Sequence, residues 1–350
     1  MRSLGNDLKK RGIHAAVLFS LDPDKPDPNF IYITNANVLG IAVQTPSYTK
    51  VFVAEMEMEK VKGRSDLRVE VLRRDSLQKE LNSIKKRTRR KLCVGCDYSQ
   101  ASHSHVRVIQ ESSGALMKDI KEMCENRRKI KSPKELGLMR KACRLTDRIF
   151  RSICTEIQKG NLRTEAQVKA AIVHDILRMG CTPAFDPLVA SGKNASIPHH
   201  VATSRRLKRG FLIIDMGVRY KEYCSDMTRT VFIGTPTARE RERYIHVKEV
   251  QKRVVDMATP GAQLGVLDDE ARQKLGDYPH ALGHGIGLCA HEIPRIARGC
   301  TTKVEKGMTI AIEPGMYKEG SFGIRIEDTV HIADRPERLT RTTRELITIQ

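Results

Sequence analysis

Two stretches in the C-terminal half of the chain share one pattern and decide the fold. Residues 210–234 read GFLIIDMGVRYKEYCSDMTRTVFIG, and residues 307–332 read GMTIAIEPGMYKEGSFGIRIEDTVHI. In each, an apolar run ends in an acid, a turn-forming segment follows, and a second strand-like run carries another acid. The first halves, GFLIIDMGVRYKE and GMTIAIEPGMYKE, align when one insertion is allowed. We therefore predict two similar antiparallel hairpins that arose by internal duplication.

Each predicted hairpin carries two carboxylates. Pairing the strands about the centre of each turn predicts Asp215 directly opposite Asp226, and Glu313 directly opposite Glu327. Side chains of opposed strand residues lie about 5 Å apart, and like charges that close are unfavourable unless a cation or a proton lies between them. A single acid in a strand is most simply a solvated residue, but two opposed pairs favour a site with four acids. Two divalent cations would balance its charge.

A nitrogen ligand is available in residues 277–296, DYPHALGHGIGLCAHEIPRI, where glycines flank His284. Glycines allow the backbone to pass close to a metal because no side chain obstructs it. Their spacing does not match that of a phosphate-binding loop. A set of oxygen ligands with one imidazole favours Mn, Fe, Co or Zn. Two such ions about 3.5–4 Å apart activate water for the hydrolysis of amides or phosphates.

The five candidate ligands and their surroundings resemble those of the pita-bread metallopeptidases, in particular the proline-specific branch with Xaa-Pro dipeptidase (prolidase) and aminopeptidase P. The resemblance covers residues 127–332 and extends to the stretches RKIKSPKELGLMRKA, FDPLVASGKNASIPHH, DMTRTVFIG, GHGIGLCAHEIPRI, IAIEPGMY and FGIRIEDTV. It implies a pita-bread (creatinase/aminopeptidase-like) catalytic domain. It also implies a binuclear-metal peptidase that hydrolyses the Xaa-Pro bond of dipeptides.

The resemblance implies a role for each ligand. Asp215 would bind one metal, Asp226 and Glu327 would bridge both metals, and His284 and Glu313 would bind the other. Glu313 would also be the general base or proton shuttle for a hydroxide that bridges the metals. The family favours Mn or Co as the two divalent ions, with Zn or Fe as alternatives.

Three further residues match positions at which the family holds its substrate. His199 in SIPHH and His291 in AHEIP match histidines that bind the substrate and stabilise the tetrahedral intermediate. Preplaced donors of this kind stabilise a developing oxyanion most in a dry site. Arg295 in EIPRI resembles the arginine with which prolidases bind the C-terminal carboxylate of a dipeptide. Its alternative interpretation is an ordinary surface arginine.

Two residues match supporting positions next to the metals. His280 lies four residues before His284, which predicts the same side of a helical turn, and it matches a histidine that lies behind the metal ligands in the family. Arg325 shares a strand face with Glu327 because side chains alternate with a period of two. We therefore expect Arg325 to anchor the bridging carboxylates.

The pattern along the chain predicts two domains with a boundary near residue 126. Residues 1–126 alternate strand-like runs (Ala15–Phe19 and Val51–Ala54) with an amphipathic helix over Arg74–Lys86, which indicates a small α/β domain. The resemblance identifies it with the creatinase-like N-terminal domain of prolidases. Residues 127–350 combine helices with antiparallel hairpins and are predicted to be α+β.

Three helices of the second domain have clear start and stop signals. Ser132 and Glu135 form a capping-box pattern, with Pro133 at the first position, and predict a helix that runs to about Lys159. The same pattern at Thr164 and Gln167 predicts a helix that ends before Gly180, and a third helix is predicted over Ala238–Met257.

Charge and cysteine content constrain the partners and the compartment. The 350 residues carry a net charge of +20, which raises the question of an acidic partner such as nucleic acid. The basic run Lys85–Lys91 supports that view, but a solvated helix end is the simpler interpretation. Nine scattered cysteines and a charged N-terminus predict a reducing cytoplasm without a signal peptide, and no segment reads as a membrane span. A homodimer follows from the resemblance alone.

Several functions remain open on the sequence. Aminopeptidase P, which accepts longer Xaa-Pro peptides, is the nearest alternative to a dipeptidase, and Arg295 favours dipeptides. Methionine aminopeptidase shares the five ligands, but its minimal forms lack an N-terminal domain of this size. The non-enzymatic alternative is a basic nucleic-acid-associated protein, against which the complete ligand set argues.

Overall fold

The computed structural model describes residues 3–88 and 90–350, and the chain divides into two compact units. The first unit ends at Arg128, and the second covers Lys129–Gln350. The boundary predicted near residue 126 falls inside the helix Lys121–Lys129. The second unit combines helices with mainly antiparallel sheets, so the predicted α+β class is confirmed.

The first unit is built on a mixed six-stranded sheet with the order β4-β3-β2-β1-β5-β6. Its strands are β1 (Ala15–Ser20), β2 (Gly40–Gln44), β3 (Thr49–Val53), β4 (Arg68–Val71), β5 (Cys93–Cys96) and β6 (Leu116–Asp119). Its helices are α1 (Gly5–Lys10), α2 (Pro28–Thr34), α3 (Ser76–Arg87), α4 (His103–Ser113) and α5 (Lys121–Lys129). Apolar residues of α3 and α4 pack on the sheet and form its core. The predicted α/β character is confirmed.

The basic run Lys85–Lys91 begins on the last turn of α3, as the helix-end interpretation expects. The Lys85 ammonium donates to the carbonyl oxygen of Ser113 at 2.9 Å, so part of this charge stabilises the chain itself. Arg89, within the run, lies outside the described residues.

The second unit contains four helices that precede or separate its strands. They are α6 (Pro133–Gln158), α7 (Glu165–Arg178), α8 (Ala238–Met257) and α9 (Leu264–Leu275). The strands are β7 (Thr182–Pro183), β8 (Leu188–Ser191), β9 (Gly210–Met216), β10 (Val218–Tyr220), β11 (Tyr223–Cys224), β12 (Met227–Ile233), β13 (Gly283–Gly285), β14 (Glu292–Ile296), β15 (Thr309–Ile312), β16 (Gly315–Lys318), β17 (Phe322–Arg325), β18 (Asp328–Ile332), β19 (Pro336–Arg338) and β20 (Thr348–Ile349). The main sheets have the orders β20-β12-β9-β8 and β14-β13-β15-β18-β19.

The predicted helix starts of this unit are confirmed. In α6 the Ser132 side chain accepts from the backbone N–H of Glu135, whose side chain accepts from the Ser132 N–H in return. Thr164 and Gln167 make the same capping box at the start of α7. Within residues 3–88 and 90–350, no helix combines the length and the apolarity that a membrane span requires.

The first hairpin forms as predicted, but its predicted register is wrong. Asp215 lies opposite Thr228 rather than Asp226, which is therefore a diagonal neighbour on the same face. The turn is centred between Lys221 and Glu222, one residue later than predicted, and both residues have positive φ angles of 46° and 70°. A two-residue hairpin turn requires this conformation, which Asn-Gly usually supplies. Because Lys-Glu carries no such signal, the sequence placed the turn one residue early.

The second hairpin has the predicted register. Gly315 pairs with Arg325 in the β16–β17 hairpin, and Ile312 pairs with Asp328 in the adjoining β15–β18 ladder. Glu313 and Glu327 occupy matching positions between these two paired regions. Neither backbone N–H is used in this hairpin: that of Glu313 donates to Leu282, and that of Glu327 donates to Thr228.

A glycine in the second hairpin allows close packing against a neighbouring loop. A Cβ atom built on Gly323 in β17 would lie 1.8 Å from the carbonyl oxygen of Ala195. Ala195 belongs to the 3₁₀ turn Gly192–Ser196, which follows β8. Since the clashing atom is backbone, relief would require the hairpin and the turn to separate.

We predict that Gly323→Ala destabilises the protein by about 1–3 kcal/mol, the usual cost of an overpacked contact. Gly137→Ala is the matched control, because Gly137 is exposed in α6 and a Cβ there meets no atom within 4 Å. That substitution should stabilise the helix by about 0.5–1 kcal/mol. Urea unfolding of the two variants measures both effects. Equal free energies of unfolding for Gly323→Ala and the parent protein would contradict the packing argument.

Candidate metal centre

A cavity of about 180 Å³ in the second unit brings the five candidate ligands together. Asp215 lies in β9, Asp226 directly precedes β12, and His284 is the central residue of β13. Glu313 and Glu327 lie in the two short connections between the β15–β18 ladder and the β16–β17 hairpin. The acids of both hairpins therefore converge on one strand that carries the imidazole.

The ligand atoms form overlapping groups, in each of which all atoms lie within 4.8 Å of one another. These groups are Asp215, Asp226 and Glu327; His284, Glu313 and Glu327; and Asp226, His284 and His291. Asp226 and Glu327 each occur in two groups, whereas Asp215 and Glu313 each occur in one. The second acid of each hairpin, Asp226 or Glu327, is thus central in the cluster. The first acid of each hairpin, Asp215 or Glu313, is peripheral.

Burial and mutual repulsion raise the pKa values of the central acids. Burial raises the pKa of Asp226 well above its usual range, and the charges of Glu327, Asp215 and Glu313 raise it further. The pKa of Glu327 is raised in the same way, first by burial and then by Glu313 and Asp215. Burial also raises the pKa of Glu313, to about 8, against the lowering effect of Arg325. In the absence of cations, the cluster therefore retains protons near neutral pH.

His284 is a neutral imidazole with a lone pair directed into the cluster. Burial, together with the neighbouring His291, lowers its pKa to about 4. Nδ1 lies 3.1 Å from the carbonyl oxygen of Gly285, which requires the ring proton on Nδ1. Nε2 then carries the lone pair, and it lies 3.7 Å from both Asp226 Oδ2 and Glu313 Oε1. A lone pair that faces two carboxylates is stabilised when a cation or a proton lies between them.

Arg325 supports the carboxylates, but not by the route predicted from the sequence. Its Nη2 donates to Asp215 Oδ2 at 2.8 Å, whereas Asp215 was predicted to be a terminal ligand. Arg325 is connected to Glu327 by hydrogen bonds through Thr228, whose hydroxyl donates to Glu327 Oε2 at 2.7 Å and accepts from Arg325 Nε at 3.2 Å. Thr228 was missed because the predicted register did not place it opposite Asp215.

His280 lines the cavity, but the helical turn that was expected to align it with His284 is absent from this described segment. The ring is held instead by Tyr317, whose hydroxyl lies 2.9 Å from His280 Nε2. Arg325 Nη1 donates to the same hydroxyl at 3.1 Å. Burial lowers the pKa of His280 to about 4, so a neutral imidazole accepts from Tyr317.

The candidate substrate residues are more exposed than the ligands. His199 and His291 both line the cavity, and the His291 ring stands at 79° to the His284 ring with centroids 4.3 Å apart. Arg295 is exposed in β14, opposite His284 in the sheet. Among the described residues, the cavity lining includes both histidines but not Arg295.

The donor set fits divalent cations. Asp215 Oδ1 is buried and makes no hydrogen bond to any residue in the described part of the chain, so one ligand oxygen is uncommitted. Four carboxylates and a neutral imidazole form an oxygen-rich set of the type that Mn, Fe, Co and Zn accept. Because cations would neutralise the ionised carboxylates, their binding would remove the repulsion that raises the pKa values of Asp226 and Glu327.

Comparisons with known proteins identify relatives that match most of this chain. The sequence pattern of metallopeptidase family M24 matches residues 137–334. The chain is 36% identical over 335 residues to the Xaa-Pro dipeptidase of Pyrococcus horikoshii, with 92% of each protein covered. The solved prolidase from Pyrococcus horikoshii OT3 superposes with a TM-score of 0.86 at 32% identity, covering 98% of both chains. The X-Pro aminopeptidase from Thermotoga maritima MSB8 superposes with a TM-score of 0.88 at 27% identity, covering 97% of this chain and 98% of the other.

The raised pKa values predict how the stability of the metal-free protein depends on pH. A carboxyl whose folded pKa exceeds its unfolded pKa binds more protons when folded, so stability falls as pH rises between the two values. For Glu313 that window extends from the usual Glu value, about 4.3, to about 8. We expect the Tm of chelator-treated protein to fall across this window, and the Tm of Mn-loaded protein to fall less.

Asp226→Asn is the control for this experiment. It removes one titratable carboxyl from the cluster, so the Tm of the metal-free variant should fall less across the same pH range than that of the metal-free parent. Identical pH dependence of Tm in the metal-free parent and the metal-free variant would show that the acid cluster does not cause the effect.

Proposed function

This chain belongs to metallopeptidase family M24, and we propose that it is a metal-dependent Xaa-Pro dipeptidase that acts through a two-metal centre. The observation that carries the proposal is the convergence of four carboxylates and a neutral imidazole in one cavity. Similarity to the Pyrococcus horikoshii dipeptidase over 92% of both proteins supports the same activity, because it spans both units.

The overlapping groups support a division of roles among the ligands. We propose that Asp215 would bind one cation, that His284 and Glu313 would bind the second, and that Asp226 and Glu327 would be shared by both. Among the four acids, the membership of Asp226 and Glu327 in two groups each supports this division; His284 also belongs to two groups, one of which contains His291. We favour Mn or Co, with Zn or Fe as alternatives. When bound, the cations supply Lewis acidity and lower the pKa of water towards neutrality.

Glu313 is proposed to accept and return the proton of the attacking water. A general base works best when its pKa lies near the working pH, and the burial that raises the pKa of Glu313 to about 8 moves it in that direction. Arg325 Nε lies 4.0 Å from Glu313 Oε2 and limits this rise. Burial favours the protonated form of Glu313, whereas the nearby guanidinium favours the ionised form. The side chain can therefore both accept and release a proton.

His199 and His291 are proposed to hold the substrate and to stabilise the oxyanion of the tetrahedral intermediate. Both line the cavity, and both remain accessible from solvent, as residues that meet an incoming peptide must be. Imidazole N–H groups that are already in place need no reorganisation as negative charge develops on the carbonyl oxygen. His280 and Arg325 would support the ligands through Tyr317, Thr228 and Asp215.

Arg295, which lies outside the cavity lining, bears on the choice between two substrate classes. In a dipeptidase, a cation binds the C-terminal carboxylate, and the exposed Arg295 is available for this contact. The similarity to the Thermotoga maritima X-Pro aminopeptidase favours longer peptides as a second candidate class. Methionine aminopeptidase and a nucleic-acid-associated protein are less well supported, because the relatives above carry Xaa-Pro names and the ligand set is complete.

We also propose a cytoplasmic homodimer. All nine cysteines are free, and burial raises the pKa of Cys96 and Cys224 to about 12, which leaves those thiols protonated and unreactive. Unpaired, buried thiols are typical of a reducing compartment. The dimer rests on the resemblance to prolidases.

We predict that Asp226→Ala abolishes Xaa-Pro hydrolysis and lowers the metal content below two ions per chain, because a bridging ligand serves both cations. The control is Asp334→Ala, which removes an exposed acid paired with Lys306 and should change neither property. Metal analysis by mass spectrometry and a Met-Pro assay in Mn or Co give the two readouts. Retained hydrolysis in Asp226→Ala would refute the site assignment.

We further predict that Met-Pro is hydrolysed with a higher kcat/KM than an Xaa-Pro-Xaa tripeptide. Arg295→Ala should raise KM for the dipeptide by about 10-fold or more, since hydrogen bonds to charged groups contribute about 1.5–3 kcal/mol. Arg298→Ala, at a nearby exposed arginine, is the matched control. Equal or better cleavage of the tripeptide would instead support the aminopeptidase.

A further inference from the structure

One buried carboxylate closes the loop that carries His199. The loop covers residues 191–203 and is here named the His199 loop. Glu165, the first residue of α7, is fully buried, and its two oxygens bind opposite ends of this loop. Oε1 accepts from the backbone N–H of Ser191 at 2.8 Å and from Asn194 Nδ2 at 2.9 Å. Oε2 binds His200 Nε2 at 2.9 Å, and the backbone N–H and hydroxyl of Thr203 at 3.1 and 2.8 Å.

The charge of Glu165 determines the proton position on His200. Burial raises the pKa of Glu165, but the hydrogen bonds from His200, Ser191, Asn194 and Thr203 outweigh it and bring the pKa below its usual range. An ionised carboxylate only accepts hydrogen bonds. His200 Nε2 must therefore carry a proton and donate it to Oε2. In all five contacts, Glu165 is the acceptor and its partner is the donor. Replacing a partner's donor group by an acceptor would therefore remove that contact.

The opposite side of the His199 loop rests on the second hairpin. The backbone N–H of Gly320 donates to the Ser196 hydroxyl at 3.2 Å, and Arg325 Nη1 lies 3.4 Å from the Pro198 carbonyl oxygen. Gly323 admits the Ala195 carbonyl, as described above. His199 thus follows a residue that contacts Arg325 and precedes one that contacts Glu165.

We propose that Glu165 and His200 are positioning residues that fix His199 at the rim of the metal cavity. This inference rests on the proposed function only in that His199 is taken to contact the substrate. His199 is exposed, so the geometry of its loop must place the ring. A displacement of a catalytic group by about 1 Å can cost about 100-fold in rate, which makes the closure of this loop relevant to turnover.

The first test removes the hydrogen bonds between Glu165 and one end of the His199 loop. Glu165→Gln keeps one acceptor oxygen but turns an NH₂ group towards donors at one end of the loop. We expect kcat/KM for Met-Pro to fall by about 10-fold or more, with two metal ions per chain retained. His200→Leu should show the same loss with Glu165 intact, whereas His200→Gln, which keeps a donor N–H, should recover most of the activity. His174→Gln, at an exposed histidine of α7, is the control.

A double-mutant cycle separates positioning from general destabilisation. If Glu165 acts through His199, then Glu165→Gln should change kcat/KM by less than about 2-fold in a His199→Ala background. A purely structural residue would cost the same in both backgrounds. Full additivity of the two substitutions, or unchanged kcat/KM in both Glu165→Gln and His200→Leu, would overturn the proposal.

Amide hydrogen exchange keeps the two proposals distinguishable. If the parent protein cleaves no Xaa-Pro substrate, the dipeptidase assignment fails, but exchange of residues 191–203 still reports on the loop. Exchange there should be faster in Glu165→Gln and His200→Leu than in the parent and in His200→Gln, with the rest of the second unit unchanged. Equal exchange in all four proteins would refute the positioning role whatever the activity.

Discussion

Repulsion among four carboxylates in one small, largely buried cavity is the constraint on which the surrounding structure depends. Two like charges about 4 Å apart repel by about 4 kcal/mol at the effective dielectric near a protein surface, and Asp226 and Glu327 are almost fully buried. The chain offsets this repulsion in part with one guanidinium, that of Arg325, and in part with protons. The remainder is the driving force for binding cations, because ionised ligands in an apolar surrounding gain most from a positive partner.

Buried hydrogen bonds on the side of the strands that faces away from the cavity hold the two hairpins together. Arg229 follows Thr228 in β12 and therefore points to the opposite face of the strand. Its Nη1 contacts the Glu327 carbonyl oxygen, and its Nη2 donates to Asp328 Oδ1 at 2.7 Å. The Asp328 side chain also accepts from Gln251 of α8 and from Thr340. One buried arginine thus holds the backbone of Glu327, while the carboxylate of Glu327 faces the cavity.

Local patterns predicted part of the elements, and long-range hydrogen bonds explain what the sequence could not show. Alternation and capping boxes located both hairpins and the helices α3, α6, α7 and α8, because those signals lie within a few residues of the structure that they produce; α1, α2, α4, α5 and α9 were not predicted. The register of the first hairpin was wrong because Lys221 and Glu222 adopt a conformation for which their side chains give no preference. Thr228 and Glu165 were not recognised, because each acts on residues about 30 to 100 positions away whose proximity only the folded chain reveals.

The two hairpins are equivalent in their acids but not in the residues that support them. Each contributes one central and one peripheral carboxylate, as expected for a duplicated unit. Two residues before the central acid, however, the first hairpin has Cys224 and the second has Arg325. Burial keeps the Cys224 thiol neutral, whereas Arg325 donates to Asp215 across the cavity at 2.8 Å. The positive charge that stabilises Asp215 of the first hairpin therefore comes from Arg325 of the second hairpin. Because the first hairpin depends on the second in this way, the two hairpins form one site and not two independent ones.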